Sequence, residues 1–294
     1  MEKVLGGIVV YNPKLTTLKE TLTSLLANCS KVLVFRNSVL DVSIEHILVE
    51  QYTGRIEFIG SGRNVGLGEA HVYFLNYARH AKYDYLILSD QDSYYPVNYT
   101  ESMLNFTCDD FCIVCPAWTD LNKRRNQNGI GQYFLSGNKI IFRTGDSFGN
   151  LSHGISSGMF INMKIIPEYI MPDSQFFIDW IDNDWCWRLI SEGYVIGYNP
   201  NIMLKHDLGD NRSLLFGYTK RSAVRNYYII RNLVFMIIKR SYKVRVKQYL
   251  LTKLCQHIFI VLFLSSGSFA RRFSLVFNAF SKGRQGILGM KTAS

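Results

Sequence analysis

Short apolar runs rich in β-branched residues alternate with stretches of helical periodicity over the first 90 residues, and this alternation constrains the fold most strongly. An apolar run of about four to eight residues between turn residues is typical of a strand buried on both faces. The predicted strands span residues 4–10, 31–35, 55–59 and 83–88, and predicted helices span residues 15–26 and 66–78. Strands joined by helices form a parallel sheet through right-handed crossovers. The pattern therefore predicts an α/β fold with a doubly wound, mostly parallel, Rossmann-like sheet.

Polar residues follow three of the predicted strands. In open α/β sheets, ligands bind in the crevice beyond the carboxyl ends of the strands. These clusters are therefore candidate binding residues. They are Tyr11-Asn12, Asn37-Ser38 and Asp90-Gln91-Asp92-Ser93.

Asp90 and Asp92 lie two residues apart directly after the fourth apolar run. Carboxylate oxygens are hard ligands that suit Mg²⁺ or Mn²⁺, which usually binds through one or two carboxylates and substrate phosphates. Such an ion neutralises a diphosphate leaving group. An Asp-x-Asp sequence is also common in surface turns, but its position at a strand end favours a functional site.

A second acidic cluster lies among large aromatic residues in the segment 177–188 and contains Asp179, Asp182 and Asp184. A helix is predicted over residues 179–192, so one interpretation is that these carboxylates cap its N-terminus. The other is that one of them is a general base, because a carboxylate beside an apolar wall can remove a proton from a hydroxyl group.

His206 and three cations later in the chain are further candidates. A lone histidine is more often structural, although a neutral imidazole at His206 could complete a metal site begun by Asp92. Lys220, Arg225 and Arg231 lie on a predicted helix and could bind either a diphosphate or a phospholipid.

Charge divides the chain into two parts. Residues 218–294 contain fifteen Lys and Arg and no Asp or Glu, whereas the preceding residues hold the other 18 basic residues against all 23 acidic ones. We place the boundary so that residues 1–215 form the catalytic domain and residues 216–294 a basic, amphipathic helical region. A basic tail favours a polyanion, either nucleic acid or an anionic membrane surface. Helices are predicted over residues 218–240, 244–264 and 269–280.

These tail helices are interpreted as lying in a membrane interface, with apolar side chains towards the lipid and cations towards the headgroups. The alternative is an ordinary helical cap on the main domain. The apolar stretch at 258–264 is shorter than the roughly 20 residues needed to span a bilayer.

The cysteines and the N-terminus predict a cytoplasmic location. Cys108, Cys112 and Cys115 are closely spaced, but the last two lie in an apolar run typical of a buried strand, which favours free thiols over a metal site. The first residues lead directly into a strand, without the pattern of a secretory signal. The expected location is the inner face of the cytoplasmic membrane, with peripheral attachment.

At this point the chain resembles family 2 glycosyltransferases of the GT-A fold, and most closely the bacterial rhamnosyltransferase-like branch that builds cell-surface polysaccharides. The resemblance covers roughly residues 4–232. Its motifs are Gly7-Ile8-Val9-Val10-Tyr11-Asn12-Pro13, Asn64-Val65-Gly66-Leu67-Gly68, Ser89-Asp90-Gln91-Asp92-Ser93, the segment 177–188, His206, and Arg225-Asn226-Tyr227-Tyr228 with Arg231-Asn232.

The resemblance implies roles for individual residues and a one-step displacement that inverts the anomeric centre. Asp182 would be the catalytic base, and Trp180 and Asp179 would contact the acceptor. The ligands of Mg²⁺ or Mn²⁺ would be Asp92, Asp90 and His206. The residues expected to bind the nucleotide-sugar are Tyr11, Asn12, Asn37, Asn64, Gly66, Asp90, Gln91 and Arg231.

Two positions depart from the family pattern. The family usually has Asp just before Asn37, where it helps to read the base, but this chain has Arg36, which cannot accept a hydrogen bond from a pyrimidine imide. Ile181 replaces the first acid of the paired motif and leaves Asp182 to act alone.

The leading hypothesis is transfer of L-rhamnose from dTDP-rhamnose to a lipid-diphosphate-linked glycan, in O-antigen or capsule biosynthesis. The close alternative is a UDP-hexose donor carrying glucose or galactose. A nucleotidyltransferase is disfavoured, because Tyr11-Asn12-Pro13 occupies the place of its glycine-rich phosphate loop. A nucleic-acid-binding protein would explain the tail but not the acidic motifs, so no nucleic-acid partner is expected.

Overall fold

The computed structural model describes residues 2–106, 111–120, 132–136, 139–143, 150–206 and 221–291. Its strands are β1 (Val4–Val10), β2 (Lys31–Arg36), β3 (Ile56–Ile59), β4 (Tyr85–Asp90), β5 (Ser93–Tyr94), β6 (Phe111–Asp120), β7 (Gln132–Ser136), β8 (Lys139–Arg143), β9 (Met159–Asn162) and β10 (Val195–His206). Its helices are α1 (Leu15–Leu26), α2 (Val42–Gln51), α3 (Leu67–His80), α4 (Tyr99–Phe106), α5 (Ile181–Ser191), α6 (Ala223–Lys239), α7 (Val244–Phe259) and α8 (Phe269–Gln285), and a π-helical turn, Ile260–Leu264, extends α7.

Eight strands form one sheet in the order β3-β2-β1-β4-β9-β6-β10-β5. The strands β3, β2, β1 and β4 run parallel to one another, as the alternation of strands and helices predicts. The strand β9 is antiparallel to both neighbours, and β5 is antiparallel to β10. The prediction of a mostly parallel, Rossmann-like sheet is therefore confirmed, with an antiparallel strand in the middle of the sheet.

Two apolar layers cover the sheet. One face packs against α1, where every leucine from Leu18 to Leu26 is buried, and against Leu48 of α2 and Met103 of α4. The other face packs against α3 and α5, through side chains such as Phe74 and Trp185. Because both faces are buried, the polar functional groups of this sheet are confined to its edges and strand ends.

The tail begins with a helix that belongs to the core. Most side chains of α6 between Asn226 and Met236 are buried, and they form an apolar cluster with Phe176, Ile181 and Trp187 of the sheet domain. The helix α8 crosses α6 closely, since a Cβ at Gly283 would lie 2.4 Å from the carbonyl oxygen of Arg231. The expectation that each tail helix lies in a membrane interface is thus wrong for α6.

Ion pairs fix α6 to α5. The carboxylate of Asp184 is fully buried and accepts hydrogen bonds from the guanidinium groups of Arg188 and Arg240 and from the hydroxyl of Tyr242. Arg240 also bonds Asp173 at 2.5 Å. A buried carboxylate requires this kind of pairing, and loss of one partner typically costs about 3–5 kcal/mol. Asp184 is therefore a structural residue.

The remaining tail helices present an aromatic surface. Phe269, Phe273, Phe277 and Phe280 are spaced along one side of α8, and all are at least 43% exposed. Phe259 and Phe263 around the π-helical turn are also exposed, with ring centroids 5.0 Å apart. We call these six side chains the phenylalanine face. No helix in the described part of the chain combines the length and apolar character needed to cross a bilayer.

Candidate functional site

A cavity of about 630 Å³ lies at the carboxyl ends of the parallel strands. We call it the large cavity. Its floor comes from the ends of β1, β2 and β4, and its far wall comes from the start of α6. The lining residues are Val9, Tyr11, Asn37, Asn64, Gly66, Leu67, Asp90, Gln91, Asp92, Phe177, Ile178, Ser222, Val224, Arg225 and Tyr228. The three strand-end clusters in the sequence thus meet at one place, as parallel strand geometry requires.

Amide side chains hold the loops around the large cavity. Gln91 accepts a hydrogen bond from the backbone N–H of Tyr11 at 2.8 Å and donates to its carbonyl at 3.3 Å. Asn37 accepts from the backbone N–H of Val65 at 2.8 Å, and Asn64 accepts from that of Gly66 at 3.2 Å. These bonds join the strand-end loops before any ligand binds, so the floor of the cavity is preorganised.

Gly66 lets the segment around Phe177 close over α3. Its φ of 90° lies in the region that disfavours side chains, and a Cβ there would lie 2.5 Å from the carbonyl oxygen of Phe177. That oxygen also accepts a hydrogen bond from the N–H of Leu67 at 2.9 Å. Any larger residue at position 66 would therefore push Phe177 and Ile178 away from the cavity.

Arg36 turns away from the large cavity. Its guanidinium donates to both carboxylate oxygens of Glu45 in α2 at 3.1 Å and to the carbonyl of Ile59 at 3.4 Å. The departure from the family pattern at this position is thus absorbed by a structural ion pair. The neighbouring residues Asn37 and Asn64 line the cavity in its place.

Asp182 lies in the first turn of α5 and keeps a side-chain exposure of 21%. Its Oδ2 accepts a hydrogen bond from the backbone N–H of Ser156 at 2.9 Å. The pKa of Asp182 is raised to about 7, chiefly by burial; the charges of Asp90 and Asp179 also raise it, and the hydrogen bond from Ser156 lowers it. A carboxyl group with this pKa can both take up and release a proton at neutral pH.

The capping interpretation of this acidic cluster is not supported. The N-cap of α5 is Trp180, in a left-handed conformation, and its side chain makes no capping hydrogen bond. Asp182 and Asp184 instead accept bonds from Ser156 and from the arginine network described above. Ile181, at the other position of the paired motif, is buried in the apolar cluster below α6.

His71 is a neighbour of Asp182 that sequence reasoning missed. It lies in α3, is 3% exposed, and places Nδ1 3.9 Å from Oδ1 of Asp182. Burial lowers the pKa of His71 to about 4, so the ring is neutral at pH 7 and the contact is not an ion pair. No sequence signal beyond its place on a buried helix face distinguishes His71.

The metal prediction stays a prediction. Asp90 and Asp92 both line the large cavity, which fits the oxygen ligands that Mg²⁺ and Mn²⁺ prefer. The backbone of His206 pairs with Ser93, next to Asp92, but the side chain of His206 lies outside the described residues. Within the described ranges, no three His, Cys, Asp or Glu side chains come together to hold a metal ion.

Cys112 and Cys115 are buried free thiols, and Cys108 lies outside the described residues.

A second cavity of about 350 Å³ lies beside the first, between α5 and the tail. We call it the small cavity. Its lining residues are Asp179, Trp180, Asn183, Arg221, Ile229, Leu233, Lys253, Gln256, His257 and Ile260. Asp179 forms a two-pronged ion pair with Arg225, with bonds of 3.0–3.2 Å. Since Arg225 lines the large cavity, this ion pair lies between the two cavities.

Two expected donor-site residues lie elsewhere. The guanidinium of Arg231 is buried and donates to Oδ1 of Asn232 and to the carbonyl of Gly289, so it holds α6 against the end of the chain. It is not placed to reach a ligand in the large cavity. Asn12 is exposed beside the cavity, and its backbone N–H donates to Ser38. Lys220 lies outside the described residues.

Comparisons with known proteins agree with the resemblance seen in the sequence. The model of the family described as glycosyl transferase family 2 matches residues 7–169. A dTDP-rhamnosyl transferase of Shigella flexneri, RfbF, is 26% identical over 246 residues, which is 80% of this chain and 79% of that protein.

Solved structures share the fold. TarS of S. aureus, residues 1–349, matches with a TM-score of 0.63 and 12% identity over 96% of this chain and 80% of that chain. A structure of GalNAc-T7 with UDP, GalNAc and Mn²⁺ matches with a TM-score of 0.63 and 13% identity over 97% of this chain. The chain spans 56% of the length of GalNAc-T7. At these identities the likeness concerns the fold alone.

Proposed function

Since the chain belongs to glycosyl transferase family 2, we propose that it transfers L-rhamnose from dTDP-rhamnose to a lipid-diphosphate-linked glycan, with inversion at the anomeric carbon. One observation carries the proposal. The large cavity collects the strand-end residues Tyr11, Asn37 and Asp92, and a carboxyl group with a pKa of about 7, Asp182, lies close enough to Asp90 to sense its charge. The similarity to a dTDP-rhamnosyl transferase supports the choice of sugar.

The large cavity is the proposed donor site. Tyr11, Asn37 and Asn64 would bind the nucleoside, because they line its floor and carry polar groups that suit a base and a ribose. The guanidinium of Arg225 at the opposite wall would bind phosphate oxygens through the N–H groups that its ion pair with Asp179 does not use. Gly66 and Gln91 would act through the loops that they hold in place.

Asp182 would act as the base in a single displacement. The acceptor hydroxyl would give its proton to the Asp182 carboxylate as its oxygen bonds to the anomeric carbon, and the nucleoside diphosphate would leave from the opposite face with the bonding electrons. The Ser156 N–H fixes the carboxylate during this step. Positioned general bases contribute about 10²–10⁴-fold to rate.

Asp90 and Asp92 would hold Mg²⁺ or Mn²⁺, and His206 is a further candidate ligand. The ion would neutralise charge on the diphosphate. Both carboxylates line the proposed donor site, so a cation held by them would lie beside the diphosphate.

Membrane attachment of the tail would bring the enzyme to its lipid-linked acceptor. The phenylalanine face and the absence of Asp and Glu over residues 218–294 support peripheral binding to an anionic bilayer, at the cytoplasmic side. In this setting the product would contribute to O-antigen or capsule.

A UDP-hexose donor is the second candidate. Arg36 is held by Glu45 and supplies no carboxylate to read the base, so the described contacts do not favour thymine over uracil. A structure of TarS contains UDP-GlcNAc, so UDP-sugars are included among the donors to be tested.

A donor screen tests the proposal. Purified protein is incubated with Mg²⁺ or Mn²⁺, a panel of dTDP- and UDP-sugars, and diphospholipid-linked acceptors, and product is measured by mass spectrometry. We expect transfer from dTDP-rhamnose. Transfer only from a UDP-hexose would replace the donor assignment, and absence of transfer from any donor would end the proposal.

A further inference from the structure

We propose that the small cavity binds the diphosphate of the acceptor, as a second anion site separate from the donor site. The inference rests on the proposed function, because a lipid-diphosphate-linked glycan carries its own diphosphate. The cavity is lined by two cations, Arg221 and Lys253, and by the polar side chains of Asn183 and Gln256.

The charge balance of the small cavity favours an anion. Asp179 is the acid in its lining, and the bidentate ion pair with Arg225 already neutralises that acid. The charges of Arg221 and Lys253 therefore remain to attract a ligand. Lys253 is half-buried and stands 5.3 Å from the ring centroid of Tyr249, a position that limits the freedom of its ammonium group. A held cation loses less entropy on binding phosphate than a mobile one does.

The location of the small cavity suits an acceptor. Asp179 and Trp180 in its wall immediately precede the turn that carries Asp182. The Asp179–Arg225 pair is shared by the walls of both cavities. An acceptor diphosphate in the small cavity would thus place the attached sugar near the Asp179–Arg225 pair, and Asp179 precedes the proposed base, Asp182, by three residues.

The lipid end of such an acceptor has a matching surface. Ile260 lines the small cavity, and Phe259, which precedes it, and Phe263, three residues after it, are 55% and 61% exposed. The charged cavity therefore borders the phenylalanine face. The parts of a lipid-diphosphate-linked sugar match the surface in the same order. The sugar would lie near the Asp179–Arg225 pair, the diphosphate beside Arg221 and Lys253, and the apolar chain along the phenylalanine face.

Kinetics with paired acceptors test the inference. The acceptor sugar found in the screen is presented once on an alkyl diphosphate and once as a simple alkyl glycoside. For Lys253→Gln and Arg221→Gln we expect KM for the diphosphate acceptor to rise at least about 10-fold, the effect of losing one charge-assisted hydrogen bond. KM for the glycoside and for the donor should stay unchanged. Lys247→Gln on the same helix, outside the cavity, is the matched control.

Binding of inorganic pyrophosphate supplies a readout that does not need activity. Titration calorimetry is done in EDTA, so that no divalent ion recruits pyrophosphate to Asp90 and Asp92. The inference is supported if the wild type binds pyrophosphate and binding weakens in both cavity variants but not in Lys247→Gln. This holds even if no acceptor is turned over, because a lack of turnover would count only against the proposed function. Equal binding by all four proteins, or an equal rise in KM for both acceptors, would overturn it.

Discussion

The two cavities differ in the sign of the charge that the protein places on their walls. Asp90 and Asp92 line the large cavity, whereas Arg221 and Lys253 line the small one. Both proposed ligands are diphosphates. Under the two proposals, the large cavity would accept its diphosphate with a divalent cation and Arg225, while the small cavity would attract one through Arg221 and Lys253 without a metal ion. It also separates the two sites experimentally, because chelation should affect only the first.

Asp182→Asn tests the chemistry between the cavities, and we expect the largest effect there. Loss of the proposed base should lower kcat by about 10²–10⁴-fold while nucleotide affinity stays near that of the wild type. Initial rates and calorimetric binding of the nucleoside diphosphate measure the two quantities. Asp41→Asn, an exposed N-cap residue of α2, is the control. A wild-type rate in Asp182→Asn would remove the base assignment.

Phe273→Ser with Phe277→Ser tests the surface beside the small cavity. Burying a phenylalanine is worth about 1.5–3 kcal/mol, so loss of the pair should reduce partitioning into anionic vesicles by at least about 100-fold. Flotation with phosphatidylglycerol vesicles measures this, with the exposed Val97→Ser as control. Unchanged flotation would contradict the membrane proposal, and a shift of duplex DNA in a gel by the wild type would favour the nucleic-acid alternative.

Asp92→Ala tests the large cavity alone. Donor binding in Mg²⁺ or Mn²⁺ should weaken by at least about 10-fold, the lower bound for residues that support a metal site. Calorimetry with and without EDTA measures it, and the variant should bind equally in both. Its affinity for pyrophosphate in EDTA should match that of the wild type, because the small cavity is untouched. If the wild type itself bound donor equally well in EDTA, the contrast between the cavities would fail.

The pH dependence of stability gives a test of Asp182 that needs no substrate. A carboxyl whose pKa is raised from 3.8 to about 7 stabilises the fold at low pH, and this stability is lost as pH rises from about 4 through 7. The Asp182→Asn variant has no ionisable group at this position, so it does not lose this stability as pH rises. In metal-free buffer its Tm should therefore exceed that of the wild type at pH 8 and approach it at pH 4, as measured by calorimetric melting at both values. A constant difference across this range would mean that the carboxyl is not perturbed.

The first half of the fold could be predicted because its signals are local. The bounds predicted for the first strand and first helix agree with β1 and α1, and each buries a continuous or periodic apolar set. The strand ends then follow from topology, which is why Tyr11, Asn37 and Asp92 were placed together correctly.

Elements that depend on distant partners were not predicted. β9 is four residues long and owes its place to pairing with β4 and β6. α2 buries only Leu48 fully, so its periodic signal is weak. β10 is one long strand with a register shift between Asn199 and Met203, and this irregularity depends on its pairing with β6.

The residues of the candidate site could likewise be predicted only where the signal is local. Its acidic motifs are visible in the sequence, whereas the approach of His71 to Asp182 and the use of Arg231 inside the core depend on packing.

One helix forms part of both cavities, and this has a practical consequence for chimaeras. Ser222 and Arg225 of the α6 N-terminal region face the large cavity, whereas Ile229 and Leu233 face the small one. The expected domain boundary at residue 215 lies outside the described residues, so its position remains a prediction. A graft joined there would import a foreign wall for both ligands at once. A splice after α6 would exchange α7 and α8 and leave every lining residue of the large cavity as in the host.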